Sequence, residues 1–326
     1  MCDTHHDENT LKTSNEPLHS FDNIENQRIL LSFLNWGKGH LSRCIDVCRR
    51  LERQGNTILI ACEEDDFTIL NSYIPTVEYL PFPGYPFSFQ GTGDFAKDIW
   101  KSRKALSDFM RWEQNEVERL VIQYQITCIV SDHRYGFFSK TIPSVFMTHQ
   151  INLPINWWQQ PAQWLHNKWM RKFSFIWIMD DEKNSLAGKL SRKGSLKNAA
   201  YIGHFSRFEK QDNEKTIELG VCNGPHPYNQ QLLEQLIGNK GLDVIISSIS
   251  GNDSRIVHPG SWKETDALFY NAATIHSYCG YSTLMDLKRL GCKGKLIPTP
   301  GQTEQEYLHR LHPNFDFSES SGNVFL

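Results

Sequence analysis

The chain reads as an α/β protein built from two doubly wound domains that face a cleft. Three observations carry that reading. Apolar, β-rich runs of strand length recur at Arg28 to Leu34, Thr57 to Cys62, Thr127 to Ser131, Ser144 to Thr148 and Phe173 to Met179, with helical patterns between several of them, as at Leu41 to Arg53 and Leu106 to Gln123. Such alternation predicts a parallel sheet with helices on both faces. A second series of the same kind follows a charged stretch, and 326 residues is long for one domain but comfortable for two of about 150 residues each.

Taken in order, the first 26 residues, "MCDTHHDENTLKTSNEPLHSFDNIEN", are polar and acidic without an apolar core. They predict a disordered tail and exclude a signal peptide or membrane anchor. His5 and His6 bring no further ligands that would make a metal site. From Ile29, "ILLSFLNWGKGHLSRCIDVCRRLERQGNTILIAC" spells a buried strand, a glycine loop, a helix and a second strand. The proline- and aromatic-rich "YLPFPGYPFSFQGTGDF" interrupts the pattern as a loop over a cleft. A polar segment from Glu182 to Asn198 and the extended "AAYIGHFSRF" lead to "EKQDNEK", which reads as the linker. The expected division is a tail at 1–26, a first domain at 27–205 and a second at 206–326. Strands of the second series are "TIELGVC", "LDVIISSI", "RIVH", "ATIHS" and "GKLIPT", with helices near Tyr228 to Ile237, Trp262 to Tyr270, Ser282 to Leu290 and Glu304 to Leu311. In sheets of this type ligands sit at the carboxyl ends of the strands.

Composition excludes more than it selects. A hydrophobic share of 39%, a charged share of 22% and a net charge of −3 describe a globular protein with no signature of a nucleic-acid partner. The eight cysteines form no CxxC pair. Cys44 and Cys48 share a helix face, and the set reads as small buried hydrophobes of a reducing, cytoplasmic chain, not as disulfides or a zinc site. No apolar run reaches the roughly 20 residues that span a bilayer.

Three loops carry candidate chemistry. In "NWGKGHLSR", Gly37 and Gly39 allow close backbone approach and Leu41 leads a helix whose N-terminal amides attract anions. A dinucleotide site is one alternative, with Glu63 after the second strand as the ribose acid, but the third glycine is missing and His40 would crowd a pyrophosphate. His40 is either a helix-entry residue packed on the loop or a general base at the mouth of the cleft. The second loop, "GVCNGPHPYNQQLLEQL", places Gly224 and Pro225 between strand and helix. The third stretch, "IHSYCGYSTLMDLKRLGCKGKLIPTPGQTEQEYL", puts Gly280 in a turn, Ser282 or Thr283 at a helix start, Asp286 on that helix's first turns and a second polar loop beside them.

The pattern "GYST.MDL..LG....IPTPGQ.EQEYL" in that stretch, with "SDHRYGF", "PSVFMTHQ" and "YIGHFSRF", resembles the family 28 glycosyltransferases, the group containing the peptidoglycan lipid-intermediate GlcNAc transferase. The likeness runs from Arg28 to His312. It implies the GT-B fold, two facing Rossmann-like domains with the acceptor on the N-terminal one and the nucleotide-sugar, expected to be UDP-linked, on the C-terminal one. It further implies that Asn223 and Gly224 lie near the diphosphate and that Gly280, Tyr281, Ser282 and Thr283 line the nucleotide site. Asp286 would accept from the ribose hydroxyls, where many relatives carry glutamate. Gln302, Glu304 and Gln305 would meet the transferred sugar. Relatives often read R-S-G where this chain has Tyr278-Cys279-Gly280, which removes a cation.

Neither a metal nor a cofactor is expected. The chain has no Asp-x-Asp triplet, the metal signature of the other main glycosyltransferase fold, and loop amides with helix N-termini can stabilise a leaving diphosphate. The base that deprotonates the acceptor hydroxyl is sought among His40, Asp132 and His149, which all follow strands. Asp132 reads equally as a turn cap and His149 as a satisfied core histidine. Two competing readings remain. The first glycine loop also resembles the UDP-sugar hydrolase of pseudaminic acid synthesis, whose corresponding histidine activates water, and the altered Tyr278-Cys279 would suit a catalytically degenerate binding protein.

Finally, "LPINWWQQPAQWLHNKWMRKFSFIW" gathers five of nine tryptophans. As a helix, Trp158, Ala162, Leu165 and Trp169 would form the core stripe. Trp157, Trp164 and Arg171 would form another face, suited to peripheral contact with the inner face of a membrane and so to a lipid-linked acceptor.

Overall fold

The computed structural model describes residues 20–88, 90, 95–155 and 157–318. Most of the expected tail, 1–19, lies outside the described residues, as do residues 89 and 91–94 of the proline-rich excursion. Residues 20–26 are packed rather than disordered. Phe21 inserts edge-on between Trp177 and Phe205, with ring centroids 5.0 and 5.2 Å away, and Ile24 is fully buried. Burial of Phe21 and Ile24 offsets part of the cost of ordering the segment.

The first half alternates as expected. It runs β1 (Arg28–Phe33), α1 (Lys38–Arg53), β2 (Thr57–Cys62), α2 (Glu64–Tyr73), β3 (Glu78–Pro81), α3 (Phe95–Gln123), β4 (Cys128–Asp132), β5 (Ser144–Thr148), α4 (Gln160–Met170), β6 (Phe175–Ile178) and β7 (Ala199–Tyr201). These seven strands form one sheet in the order β3-β2-β1-β4-β5-β6-β7, every described pairing parallel. On β1 the side chains alternate. Ile29 and Leu31 face α1, while Leu30 packs with Leu59, Ile129 and the α3 residues Val117 and Leu120. A strand buried on both faces reads as a continuous apolar run, which is why "ILLSF" is so legible.

Two elements escape the sequence reading. Helix α2 carries three acidic residues in its first turn and buries only Asp66, Leu70 and Tyr73, too sparse a stripe to detect. Strand β3, placed in the loop by its prolines, pairs with β2 as the sheet's edge, where Pro81 leaves no ladder bond unmade on a neighbour. Helix α3 begins at Phe95, well before the expected Leu106.

The second half runs β8 (Ile217–Val221), α5 (Tyr228–Gly238), β9 (Val244–Ile246), β10 (Ile256–Val257), α6 (Trp262–Tyr270), β11 (Ala272–Tyr278), α7 (Tyr281–Leu290), β12 (Lys293–Ile297) and α8 (Thr303–Leu311). Its five strands lie in the order β10-β9-β8-β11-β12, again parallel. Each sheet reverses direction of growth beside its first strand, between β1 and β4 and between β8 and β11. Those switch points are where α/β sheets open a binding crevice. Seven cysteines fall among the described residues; all are free and all but Cys222 are buried.

The expected core stripe on α4 is displaced. Ala162 and Leu165 are exposed, the helix buries His166 and Met170 instead, and the Trp158 side chain lies outside the described residues. The inward face is polar. His166 is held between the Tyr135 hydroxyl at 2.7 Å and the Gln150 carbonyl at 2.8 Å, a pattern that a search for apolar periodicity overlooks.

Candidate active site

A cavity of about 780 Å³ lies between the two sheets. Four helices present their N-termini to it through Gly37 and Lys38 of α1, Asn229 of α5, Gly280 and Tyr281 of α7, and Gln302 and Glu304 of α8. Unpaired N–H groups and aligned peptide dipoles make each of these ends attractive to anions. The fixed cations that line the cavity are already committed to carboxylates: Lys38 to Asp66, Arg43 to Asp132 and Arg207 to Asp266. Anion binding there therefore falls mainly to the backbone.

At the floor, His40 stands in the first turn of α1 and Asp132 ends β4. The His40 Nδ1 is 3.0 Å from Asp132 Oδ2. One turn along α1, Arg43 grips the same carboxylate with both Nε, at 2.7 Å to Oδ2, and Nη2, to Oδ1. Its Nη2 also lies 2.7 Å from His40 Nδ1. Asp132 is fully buried, which would raise its pKa, but Arg43 and then His40 overcome burial and hold the carboxyl far below the usual range. Burial, and next the Arg43 charge, lower the His40 pKa, with Asp132 opposing in part. His40 is thus a neutral imidazole at neutral pH, with Nδ1 against the acid and Nε2 left for the cavity.

Every expected site residue except Asp132 lines the cavity: His40, His149, Gly37, Gly39, Asn223, Gly224, Gly280, Tyr281, Ser282, Thr283, Asp286, Gln302, Glu304 and Gln305. Several are partly spent on protein contacts. Gly39, expected to allow close backbone approach in a donor-binding loop, is approached by Ser282, whose Oγ would stand 3.0 Å from a Cβ there. That hydroxyl donates to the Gly39 carbonyl across the cleft at 2.8 Å. Asn223 accepts from Tyr278 N at 2.8 Å and donates to its carbonyl at 3.3 Å, tying the second loop to the end of β11. Gln305 accepts from Thr299 N and donates to Gln302 Oε1, which shapes its own loop. One oxygen of Asp286 takes the Ser206 hydroxyl at 2.5 Å, and burial pushes its carboxyl up to about 6 against the pull of Arg207 and Ser206.

His149 does not sit as a base should. Its Nε2 meets Glu304 Oε1 at 2.7 Å, its Nδ1 is buried without a partner, and its ring lies flat on Tyr281, with centroids 4.0 Å apart and planes at 3°. The Tyr281 hydroxyl donates to the Met179 carbonyl. His149 is therefore an element of the domain contact.

Sequence reasoning missed Arg43 and Arg207. The H-x-x-R spacing of His40 and Arg43 was a local signal for one helix face. No local signal links Arg207 to Asp266, 59 positions apart, or His149 to Glu304, a pair that closes only when the domains meet.

No family model matches the chain and no curated protein resembles it closely enough to count as a relative. Solved structures do. The glycotransferase of kitacinnamycin superposes with a TM-score of 0.60 at 11% identity, over 87% of this chain and 84% of that one. Spinosyn rhamnosyltransferase SpnG complexed with thymidine diphosphate gives 0.58 at 11% identity, over 88% and 85%. Arabidopsis thaliana UGT89C1 complexed with UDP gives 0.55 at 13% identity, over 88% and 83%. The chain has the GT-B fold, and the finer likeness to family 28 is carried by the quoted motifs alone.

Proposed function

We propose that the protein is an inverting, metal-independent glycosyltransferase that moves a sugar from a nucleotide-diphospho-sugar to a hydroxyl acceptor. The acceptor would lie on 27–205 and the donor on 206–326. The observation that carries this reading is the neutral His40, backed by a buried, Arg43-clamped Asp132, at the floor of a cleft that four helix N-termini surround. Structures of this fold complexed with thymidine diphosphate and with UDP add support.

In the reaction the acceptor hydroxyl gives its proton to His40 Nε2 as its oxygen attacks the anomeric carbon. The bond from that carbon to the diphosphate oxygen breaks, and a single displacement inverts the centre. The base role needs the tautomer with the proton on Nδ1, donated to Asp132, with the Arg43 Nη2–H groups turned to Asp132 Oδ1 and not to Nδ1; Asp132 then stabilises the imidazolium. Arg43 keeps Asp132 ionised for that task. The departing diphosphate gains its charge beside the N-termini of α5 and α7, with Gly224 and the Gly280 to Thr283 turn closest to it.

Calorimetric titration with UDP-, TDP- and GDP-sugars, with and without a divalent metal, tests the donor. Saturable binding of one of them without metal is expected, and binding by none overturns the assignment. His40→Ala should cut turnover on the order of a hundredfold or more. Free sugar released at full rate without acceptor would make the chain a hydrolase instead.

The acceptor's source is part of the same reading. Trp157 and Trp164 are 81% and 64% exposed, and Lys168 Nζ lies 5.2 Å over the Trp164 ring. With the exposed Arg171 they suit an interfacial contact that delivers a lipid-linked hydroxyl. Wild type should sediment with anionic liposomes at low salt, and Trp157→Ala/Trp164→Ala should not. A wild type that stays in solution leaves a soluble acceptor. Among the described residues no helix is long and apolar enough to cross a membrane.

A further inference from the structure

We infer that His149, on the N-terminal domain, is a positioning residue for the transferred sugar, fixing the Glu304 carboxylate across the cleft so that the donor's sugar is read only when the domains are closed. The inference rests on the glycosyltransferase reading of the same cleft.

His149 follows β5 and Glu304 sits in the first turn of α8, so the two belong to different sheets. The imidazole is packed among rings. Tyr281 of α7 stacks on it with centroids 4.0 Å apart, and the His133 ring lies near-parallel with its centroid 5.7 Å away. Tyr281 is itself anchored to the first domain through the Met179 carbonyl. This leaves Nε2 aimed at Glu304 Oε1, 2.7 Å away, while His149 is 4% exposed on its side chain and Glu304 26%. Burial alone would raise the Glu304 carboxyl, yet His149 holds it below the usual range. Glu304 is therefore a carboxylate that accepts from Nε2–H. Its Oε2 has no protein partner among the described residues, and the side chain lines the cavity with His40 and Gln302.

A buried imidazole with an unpartnered Nδ1 is a costly way to hold two domains together. Stacking or an apolar contact would serve as well. What the arrangement adds is a fixed acceptor oxygen in the cavity, within electrostatic reach of His40 and Arg43, at a place where sugar hydroxyls can donate. When the domains part, Glu304 leaves with α8, loses its orienting donor and becomes an ordinary flexible side chain at a helix N-terminus. Reading of the sugar and closure of the cleft are thereby the same event.

On the proposed reading the nucleotide lies at the Gly280 to Thr283 turn and the sugar at Glu304, so the bare nucleotide is the control. Binding of UDP, TDP and GDP is compared with binding of UDP-N-acetylglucosamine, TDP-glucose and GDP-mannose by calorimetry, in wild type, His149→Ala and His149→Gln. For whichever nucleotide binds, His149→Ala should weaken the nucleotide-sugar about tenfold while the bare nucleotide changes less than about twofold. His149→Gln, whose amide can still donate to Glu304, should recover most of the loss, and Glu304→Ala should match His149→Ala without adding to it in the double variant. Equal weakening of nucleotide and nucleotide-sugar, or no weakening of either, overturns the positioning role and leaves the glycosyltransferase reading in place. Binding of no nucleotide by wild type overturns both.

Discussion

Arg43 decides what His40 can do. Its guanidinium and the Asp132 carboxylate are 2% and 0% exposed on their side chains, so neither can lose the other and turn to water. Removing one partner of such a pair leaves a buried charge uncompensated, which costs about 3–5 kcal/mol, whereas removing both is close to neutral. Arg43→Met should therefore lower the denaturant midpoint steeply, and Arg43→Met/Asp132→Asn should recover most of the stability though not the activity. Asp286 makes a prediction of the opposite sign. Its folded pKa, raised to about 6 by burial despite Arg207, Ser206 and Arg289 with Asp266 nearby, lies above the unfolded value. The stability tied to its protonated form is complete below about pH 4 and is lost as pH rises through 6, a difference of at most about 3 kcal/mol. Asp286→Asn should gain on wild type in thermal midpoint between pH 4.5 and 7.5, and an unchanged difference across that range would count against the raised value.

The two glycine turns of the second sheet look alike in sequence but differ in what they demand. Gly224 has φ +93°, and a Cβ on it would meet the Tyr278 ring at 2.8 Å. Gly280 has φ −96°, and its nearest obstacle, Thr283 Oγ1, is 3.7 Å away. Gly224→Ala should cost roughly 1–3 kcal/mol, and Tyr278→Ala should not rescue it because the backbone strain remains. Gly280→Ala should cost much less, and midpoints from thermal unfolding separate the two. The same contrast shows why strands and turns were legible while some roles were not. A strand buried on both faces announces itself locally, as β1 and β11 do. Helix α2 buries three residues and helix α4 turns His166 inward, so neither prints an apolar period. Gly39 was readable as a place of close approach, but that the approaching group is Ser282, 243 positions along the chain, is a property of the assembled domains.

Those domains do not share only a cleft. One apolar cluster runs from Ile29, Leu31 and Trp177 of the first sheet to Leu219, Ile275, Leu284 and Leu296 around the second. Domain contacts within a chain are ordinarily small and polar. Here the apolar continuity is reinforced by polar links on several elements: Tyr73 to Asp266 at 2.7 Å, Arg207 to Ser42 at 3.1 Å, and the Tyr307 hydroxyl, which accepts from Lys189 N at 2.8 Å. An unfolded second domain would uncover the side of α1 that packs on α7 and leave Ser42 and Tyr73 without their partners Arg207 and Asp266, so neither half keeps its stability when the other is lost. Calorimetric unfolding should accordingly show one transition whose van't Hoff and calorimetric enthalpies agree. A nucleotide that binds the cleft should raise that single transition with its concentration, as linkage requires of a ligand held by the native state. Two resolved transitions, of which only the second shifted with nucleotide, would mean that the halves are energetically separate and that the shared cluster does not couple them.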